Sequence, residues 1–484
     1  MKILIASSEA VPYIKTGGLA DVAGALLKEL RTKKEEAFLV LPLYAAIKTK
    51  YKLHATGKAI SIKMGDVAYR GNIFAALRGD NPEAYFIECD ELYGRPELYG
   101  SPAGDYPDNA LRFIFFSRAV LETCIAMRIK PDVIHCNDWQ TALVPLYLKT
   151  LYKGVKNFSK TSTLFTVHNL GYQGIFEAST LPYTGLGKEY FTPDGLEFYG
   201  KLNLMKAGLI YADLLNTVSV TYASEIQQPE YGFGLDGVMR KRADDLYGII
   251  NGIDYEEWDP SSDMFIPSRY GHAGLKGKVL CRHALCREAA FDRPALPIVS
   301  LVGRFSSQKG IELVLGSLES LTAMGVNLIV LGKGDDKYQK LLKKASGPPY
   351  KGRIFVHIGF EERLAHLIYA GSDFFLMPSQ YEPCGLGQLI AMKYGTVPIA
   401  RKTGGLADTI QDYDHVTHTG TGFLFRDYSP YAMQDAVKRG LCVFTVKAKM
   451  KKLVSNIMGK DFSWSRSADN YLELYRAAGR KAGK

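Results

Sequence analysis

The sequence predicts an α/β protein with two doubly wound parallel sheets, and three observations carry that expectation. Short runs rich in Val, Ile, Leu and Phe alternate with segments of helical period: KILIAS from Lys2, DVIHCN from Asp132, STLFTVHN from Ser162, LLNTVS from Leu214 and YGIING from Tyr247. Such runs read as buried parallel strands joined by crossover helices. From about residue 296 the same grammar starts again, in LPIVSLVGRF, VNLIVLGKG, RIFVHIGF, SDFFLMPS and GTVPIARKTGG. A chain of 484 residues also exceeds what one ordinary core supports, so two large domains are expected.

The join is expected near NGIDYEEWDPSSD (Asn251 to Asp263), where turn residues and Pro260 end one pattern. A basic helix, KGKVLCRHALCREAA, leads into the next. The reading assigns residues 1–252 to an amino-terminal domain, 253–457 to a second, and 458–484 to a last helix whose aromatic spacing suits packing back on the first domain. The segment from about Tyr51 to Asn109 is less regular and suits antiparallel strands beside the first sheet.

Composition excludes several classes. The chain is 47% hydrophobic and 23% charged, which fits a folded soluble protein. No apolar run approaches the roughly 20 residues of a membrane span. MKILIASSEA goes directly into a strand without a signal-peptide pattern, so the cytoplasm is the expected location. Seven scattered cysteines form no CxxC pair, and the one HxxH, His415 and His418, sits in a polar loop, so neither a disulfide framework nor a metal site is expected. The net charge of +10 is spread along the chain, and its densest cluster, Lys447 to Lys452, reads as a solvated helix face. That balance suits a small phosphate-bearing ligand as well as it suits nucleic acid.

Open parallel sheets bind ligands beyond the carboxyl ends of their strands, and the informative residues follow the apolar runs. KTGGLAD occurs twice, at Lys15 to Asp21 and Lys402 to Asp408. In the first copy Leu19, Val22, Leu26 and Leu30 predict a helix starting near Gly18 after a lysine-bearing turn, with Asp21 at its positive end. A plain strand-to-helix turn with two glycines, Gly17 and Gly18, explains it equally. The second copy supports only a short helix. Arg304 and Lys309 in VSLVGRFSSQKG follow a strand, where two cations clamp a diphosphate or are merely solvated. In SQYEPCGLGQLIAMKYG, Pro383 holds Glu382 extended, and a helix begins at the glycines. Asp138, His168, Asn169 and Asn251 also fall at strand ends; Asp138 reads as a helix N-cap or a site carboxylate, and Pro145 as a kink in the helix after it.

These motifs, in the order KTGGL, GRFSSQKG, YEPCGLGQ, RKTGGLADT and a terminal DFSWSRSADNYLELY, resemble the bacterial glycogen synthases and plant starch synthases, glycosyltransferase family 5, over essentially the whole chain. The resemblance implies a GT-B fold, two Rossmann-like domains facing a deep cleft. It also implies transfer of glucose from ADP-glucose to the nonreducing end of an α-1,4-glucan with retention, without metal or other cofactor and without nucleic-acid or membrane partners. It assigns Lys15, Arg304 and Lys309 to the donor phosphates, and Asp138, His168 and Asn251 to the surroundings of the donor glucose, with Glu382 at its centre. Gly17, Gly18, Asp21, Tyr381, Cys384, Gly385, Leu386 and Gly387 complete the implied donor site, Tyr381 lying near the base. One departure stands out: many members have Thr where this chain has Gly387. A dinucleotide oxidoreductase would need a GxGxxG after a strand, which is missing. A noncatalytic glucan binder would not need the cationic clamp. A sucrose or trehalose-phosphate synthase is the nearer rival.

Overall fold

The computed structural model describes residues 1–79, 81–101 and 104–483. The chain forms two compact units. One comprises Met1–Val218, Ala223–Ile249 and the segment from Trp464 onward; the other comprises Ser219–Tyr222 and Ile250–Ser463. The chain therefore changes unit after Ile249 and again after Ser463, where the sequence suggested breaks at 252 and 457.

In the first unit the apolar runs are strands: β1 Lys2–Ala6, β2 Glu36–Pro42, β3 His54–Met64, β4 Val67–Arg78, β5 Asn81–Glu88, β6 Val133–Asn137, β7 Ser162–Val167, β8 Leu214–Thr217 and β9 Leu246–Gly248. They form one nine-stranded sheet in the order β9-β8-β7-β6-β1-β2-β5-β4-β3. It is parallel from β9 to β5, and β4 and β3 add antiparallel at the edge, the arrangement expected for the irregular segment after Tyr51. The central strands are buried on both faces, as continuous apolar runs require.

The last helix, Trp464–Lys481, belongs to this first unit. Its buried stripe of Trp464, Ala468, Tyr471, Leu472, Tyr475 and Ala478 recurs at helical spacing. The Tyr475 hydroxyl meets His135 Nδ1 of β6 at 2.9 Å, and Asn216 Nδ2 of β8 donates to the Tyr471 hydroxyl at 3.1 Å. Buried polar groups of the sheet thus find their partners in the chain's end.

The second unit carries a six-stranded parallel sheet: β10 Ile298–Val302, β11 Asn327–Gly332, β12 Ile354–Ile358, β13 Phe374–Met377, β14 Val397–Arg401 and β15 Phe423–Phe425. Its order is β12-β11-β10-β13-β14-β15, so the strand order reverses beside β10 and β13. At that switch point a doubly wound sheet offers a crevice beyond the strand ends. The loops after β10 and β13 carry Arg304, Lys309 and Glu382.

Candidate active site

Lys15 and Asp21 lie in the loop after β1 and the first turn of the helix Gly18–Thr32. The helix forms as its periodicity predicts, burying Leu19, Val22, Leu26 and Leu30. The ammonium of Lys15 pairs with Asp21 Oδ1 at 2.7 Å. Burial raises the Asp21 carboxyl above its usual range, and Lys15 counters that.

The turn itself is held by Glu9, which belongs to none of the motifs. Glu9 is buried, and its carboxylate accepts from the amides of Thr16 at 2.5 Å and Gly17 at 3.1 Å, and from the hydroxyls of Thr16 and Tyr99. Desolvation raises its pKa despite those four donors. The available signal was an acidic residue three positions past the end of an apolar strand, in KILIASSE. The turn leaves space: a Cβ built on Gly17 meets nothing within 4 Å.

Asp138 follows β6 with φ of 53°, in the left-handed region that few non-glycine residues adopt. It does not cap the next helix as its position suggested. The chain first makes a 3-10 turn, Trp139–Thr141, and its carboxylate instead accepts the His168 amide at 2.7 Å, across from the end of β7. Pro145 falls in the first turn of the helix Leu143–Lys149, where its missing N–H costs nothing, so no kink is imposed. Burial pushes the Asp138 carboxyl up to about 7, opposed by the amides of His168 and Asn169. Burial pulls the His168 imidazole down to about 3. His168 is therefore neutral at physiological pH; Nε2–H donates to Asn137 Oδ1 at 2.9 Å, which leaves Nδ1 as an acceptor. Imidazole here offers a hydrogen bond, not a charge. Asn169 Oδ1 accepts from the Gly171 amide at 3.0 Å.

In the second unit the loops after β10 and β13 are fastened together. Gly310 adopts φ of 67°, and a Cβ there would stand 2.0 Å from the Pro378 carbonyl. That close approach, with Gln380 N donating to Gln308 O at 2.8 Å, brings Lys309 to Glu382. Lys309 Nζ and Glu382 Oε2 are 2.5 Å apart, and Ser379 Oγ donates to the same oxygen at 3.0 Å. The carboxylate is buried and the ammonium partly exposed. Arg304 is exposed on the preceding loop, whose Phe305 is locked to Lys333 and Asp335 through the backbone. Two buried acceptor atoms have no partner among the described residues: Ser306 Oγ on the loop after β10, and Asn251 Oδ1 on the segment after β9. The Asn251 amide itself donates to the Cys384 thiol.

The segment Cys384-Gly385-Leu386-Gly387 leads into the helix Gly387–Lys393, ending before Gly395 as the sequence suggested. Tyr381 is half-buried beside Glu382. A Cβ at Gly387 would lie 2.8 Å from the Phe375 ring and 3.4 Å from the Tyr369 hydroxyl. An aromatic ring of β13 fills the place that a threonine would take.

The second KTGGLAD has a different use from the first. A Cβ on Gly404 would lie 2.0 Å from Glu382 O, and one on Gly405 would lie 2.1 Å from Cys384 O. The Gly405 amide donates to Glu382 O at 3.0 Å. Its Asp408 accepts the Thr221 amide at 2.9 Å rather than pairing with its own lysine. Lys402 is exposed. This copy is the backing of the Glu382 loop, where the first is an open turn.

The starch synthase catalytic domain model matches residues 2–241, and the model for glycosyl transferases group 1 matches residues 289–441. A glycogen synthase of Geotalea uraniireducens is 46% identical over 488 residues, covering 100% of each chain. The chain belongs to the glycogen and starch synthase family. A second relative, the glycogen synthase of Thermodesulfovibrio yellowstonii, is 45% identical over 98% of this chain and 97% of its own. The catalytic domain of starch synthase IV from Arabidopsis thaliana, solved with ADP and acarbose, superposes with a TM-score of 0.91 at 32% identity, covering 99% of each chain. A sucrose-phosphate synthase of Thermosynechococcus elongatus shares the fold at a TM-score of 0.62 and 18% identity. The two sheets are those of the GT-B glycosyltransferases, and as a glycogen and starch synthase family member the chain is a retaining glucosyltransferase.

Proposed function

We propose that this synthase transfers the glucosyl group of ADP-glucose to the nonreducing end of an α-1,4-glucan, with the residues above in defined roles. The observation that carries the reading is the Lys309–Glu382 pair at 2.5 Å, set at the switch point of the second sheet beside the unpartnered acceptors Asn251 Oδ1 and Ser306 Oγ. Orphaned buried acceptors indicate a polar ligand that supplies their donors, and sugar hydroxyls do so.

Negative charge grows on the diphosphate as the anomeric carbon leaves it, so cations fixed before the reaction bind the transition state more strongly than the ground state. Arg304, Lys309 and Lys15 supply that charge without a metal ion. When phosphate draws Lys309 away, Glu382 loses its partner. Its carboxylate then accepts from a glucose hydroxyl and faces the positive charge developing at the anomeric carbon. Asp138 and neutral His168 offer further acceptors to the sugar, and Gly17, beside Gly18, leaves backbone open for phosphate to approach. Tyr381 lies nearest the base. Retention follows from front-face attack, in which the departing phosphate oxygen accepts the proton of the glucan 4-hydroxyl. A glucosyl adduct trapped on Glu382 would overturn that step.

The test is release of nucleoside diphosphate from ADP-glucose and from UDP-glucose, each with and without glycogen. Glycogen-dependent ADP release, lowered at least a hundredfold in Arg304→Ala, is the expected result. Release that requires a small sugar acceptor in place of glucan would move the chain to the sucrose-synthase type.

A further inference from the structure

We propose that the second unit holds a transition-metal site formed by Glu257, Glu362 and His366. A ring nitrogen of His366 and one carboxylate oxygen from each glutamate all lie within 4.8 Å of one another. None of these residues belongs to the groups assigned to glucosyl transfer, and the sequence showed no metal motif because the three come from two segments about a hundred residues apart.

The orientation of His366 is the decisive feature. Nδ1 meets Asp263 Oδ2 at 2.8 Å, and the same oxygen accepts the Tyr394 hydroxyl at 2.6 Å. An acidic partner on Nδ1 fixes the proton there and turns the Nε2 lone pair outward, the arrangement by which carboxylates orient metal-binding histidines. Nε2 is buried and finds no hydrogen-bond partner among the described residues. A buried acceptor left without a donor is costly, and a cation on it removes that cost. The ring is also immobilised, stacked on Trp258 with centroids 4.1 Å apart and planes 10° apart, with Phe265 at 4.8 Å on its other contacts.

The two carboxylates complete the set from exposed positions. Glu362 opens the helix Glu362–Gly371 and stands one turn before His366, so both project from one face. Glu257 arrives on the tight turn after Asp254, next to Trp258. Arg363, next to Glu362 in the helix, reaches Glu288 and Glu361. A tetrahedral zinc ion would draw its donors to about 3.4 Å apart, a small movement for two exposed glutamates. One imidazole with two carboxylates is a donor set for Zn²⁺ or a neighbouring transition metal, with water in the remaining position, and the nitrogen disfavours Mg²⁺ and Ca²⁺. The ion would clip the turn at Glu257 to the helix at Glu362.

The experiment is a zinc titration of the full chain, stripped of metal, against a competing chromophoric chelator, with melting temperature read in parallel. We expect one equivalent of Zn²⁺ bound at about 1 μM or tighter and a melting temperature raised by several degrees, with Mg²⁺ giving neither. Glu257→Gln and Glu362→Gln, both at exposed positions, are expected to weaken zinc binding at least tenfold while the metal-free melting temperature stays within about a degree of the parent. These variants decide the matter because His366→Ala disturbs a buried cluster. Absence of binding up to about 100 μM, or less than a tenfold loss in the Glu257→Gln/Glu362→Gln double variant, overturns the site.

Discussion

Lysines hold two of the three carboxylates expected at the site, Asp21 and Glu382, while Asp138 is met by backbone amides. Residue type was legible in the sequence, but pairing was not, since Lys309 and Glu382 are 73 positions apart and meet only through the Gly310 turn. The pair predicts a stability effect separate from activity. Lys309→Ala leaves a buried carboxylate with Ser379 alone and is expected to cost about 2 kcal/mol after allowance for the exposed lysine. Lys309→Met combined with Glu382→Gln should recover most of it in urea unfolding while activity stays lost. Asp138 gives a pH prediction of known sign. Its folded pKa, about 7, lies above the unfolded value of 3.8, so the folded state binds the extra proton and stability falls as pH rises from about 4 through about 7. Asp138→Asn should therefore melt above the parent at pH 8, by on the order of 3 kcal/mol, and match it at pH 4. If the ionised form receives the sugar, the acid limb of kcat/KM near pH 7 disappears in that variant. His135 and His168, both held near 3 by burial, act in the opposite sense and remove stability below about pH 6.5.

At the scale of elements, the strands, the crossover helices and the two lysine-glycine turns could be read from apolar runs and helical spacing. The different roles of the two turns could not, because seven identical residues carry no information about what stands opposite them. Gly404 is pressed against the Glu382 carbonyl, and Gly17 faces open space. Gly404→Ala is expected to destabilise by about 2 kcal/mol or more and to lower activity by displacing Glu382. Gly17→Ala should leave the melting temperature within a degree or two and raise the KM for ADP-glucose. Thermal unfolding and donor kinetics on the two variants separate the roles, and equal melting losses would refute the distinction. The capping alternative for Asp138 fails for a related reason. A residue at φ of 53° breaks the local pattern on which capping rules depend, and the amide it accepts from is that of His168, just past β7 and 30 residues on.

For the whole molecule, two α/β sheets were evident in the restart of the strand grammar at residue 296, and the assignment of the terminal helix followed from its aromatic spacing. The four residues Ser219–Tyr222, which belong with the second unit, were not evident. They are held there by Ser219 donating to Pro383 O at 2.6 Å and by Asp408, contacts that leave no periodic trace. Removing residues 464–484 should expose His135 and Asn216 and strip the apolar stripe from the first sheet. Burial of five aromatic or leucine side chains at about 1.5–3 kcal/mol each exceeds the stability of most domains. The truncated chain is expected to lose the first unit's cooperative melting transition, measured by calorimetry.

The order in which these pieces leave the ribosome follows from the return of the chain at Trp464. Ser463 completes the second unit, while the first still lacks the tyrosines that satisfy His135 and Asn216. The unit that begins the chain is thus the last to be finished, and a nascent polypeptide that stalls anywhere before residue 475 carries an open sheet face for chaperones to shield.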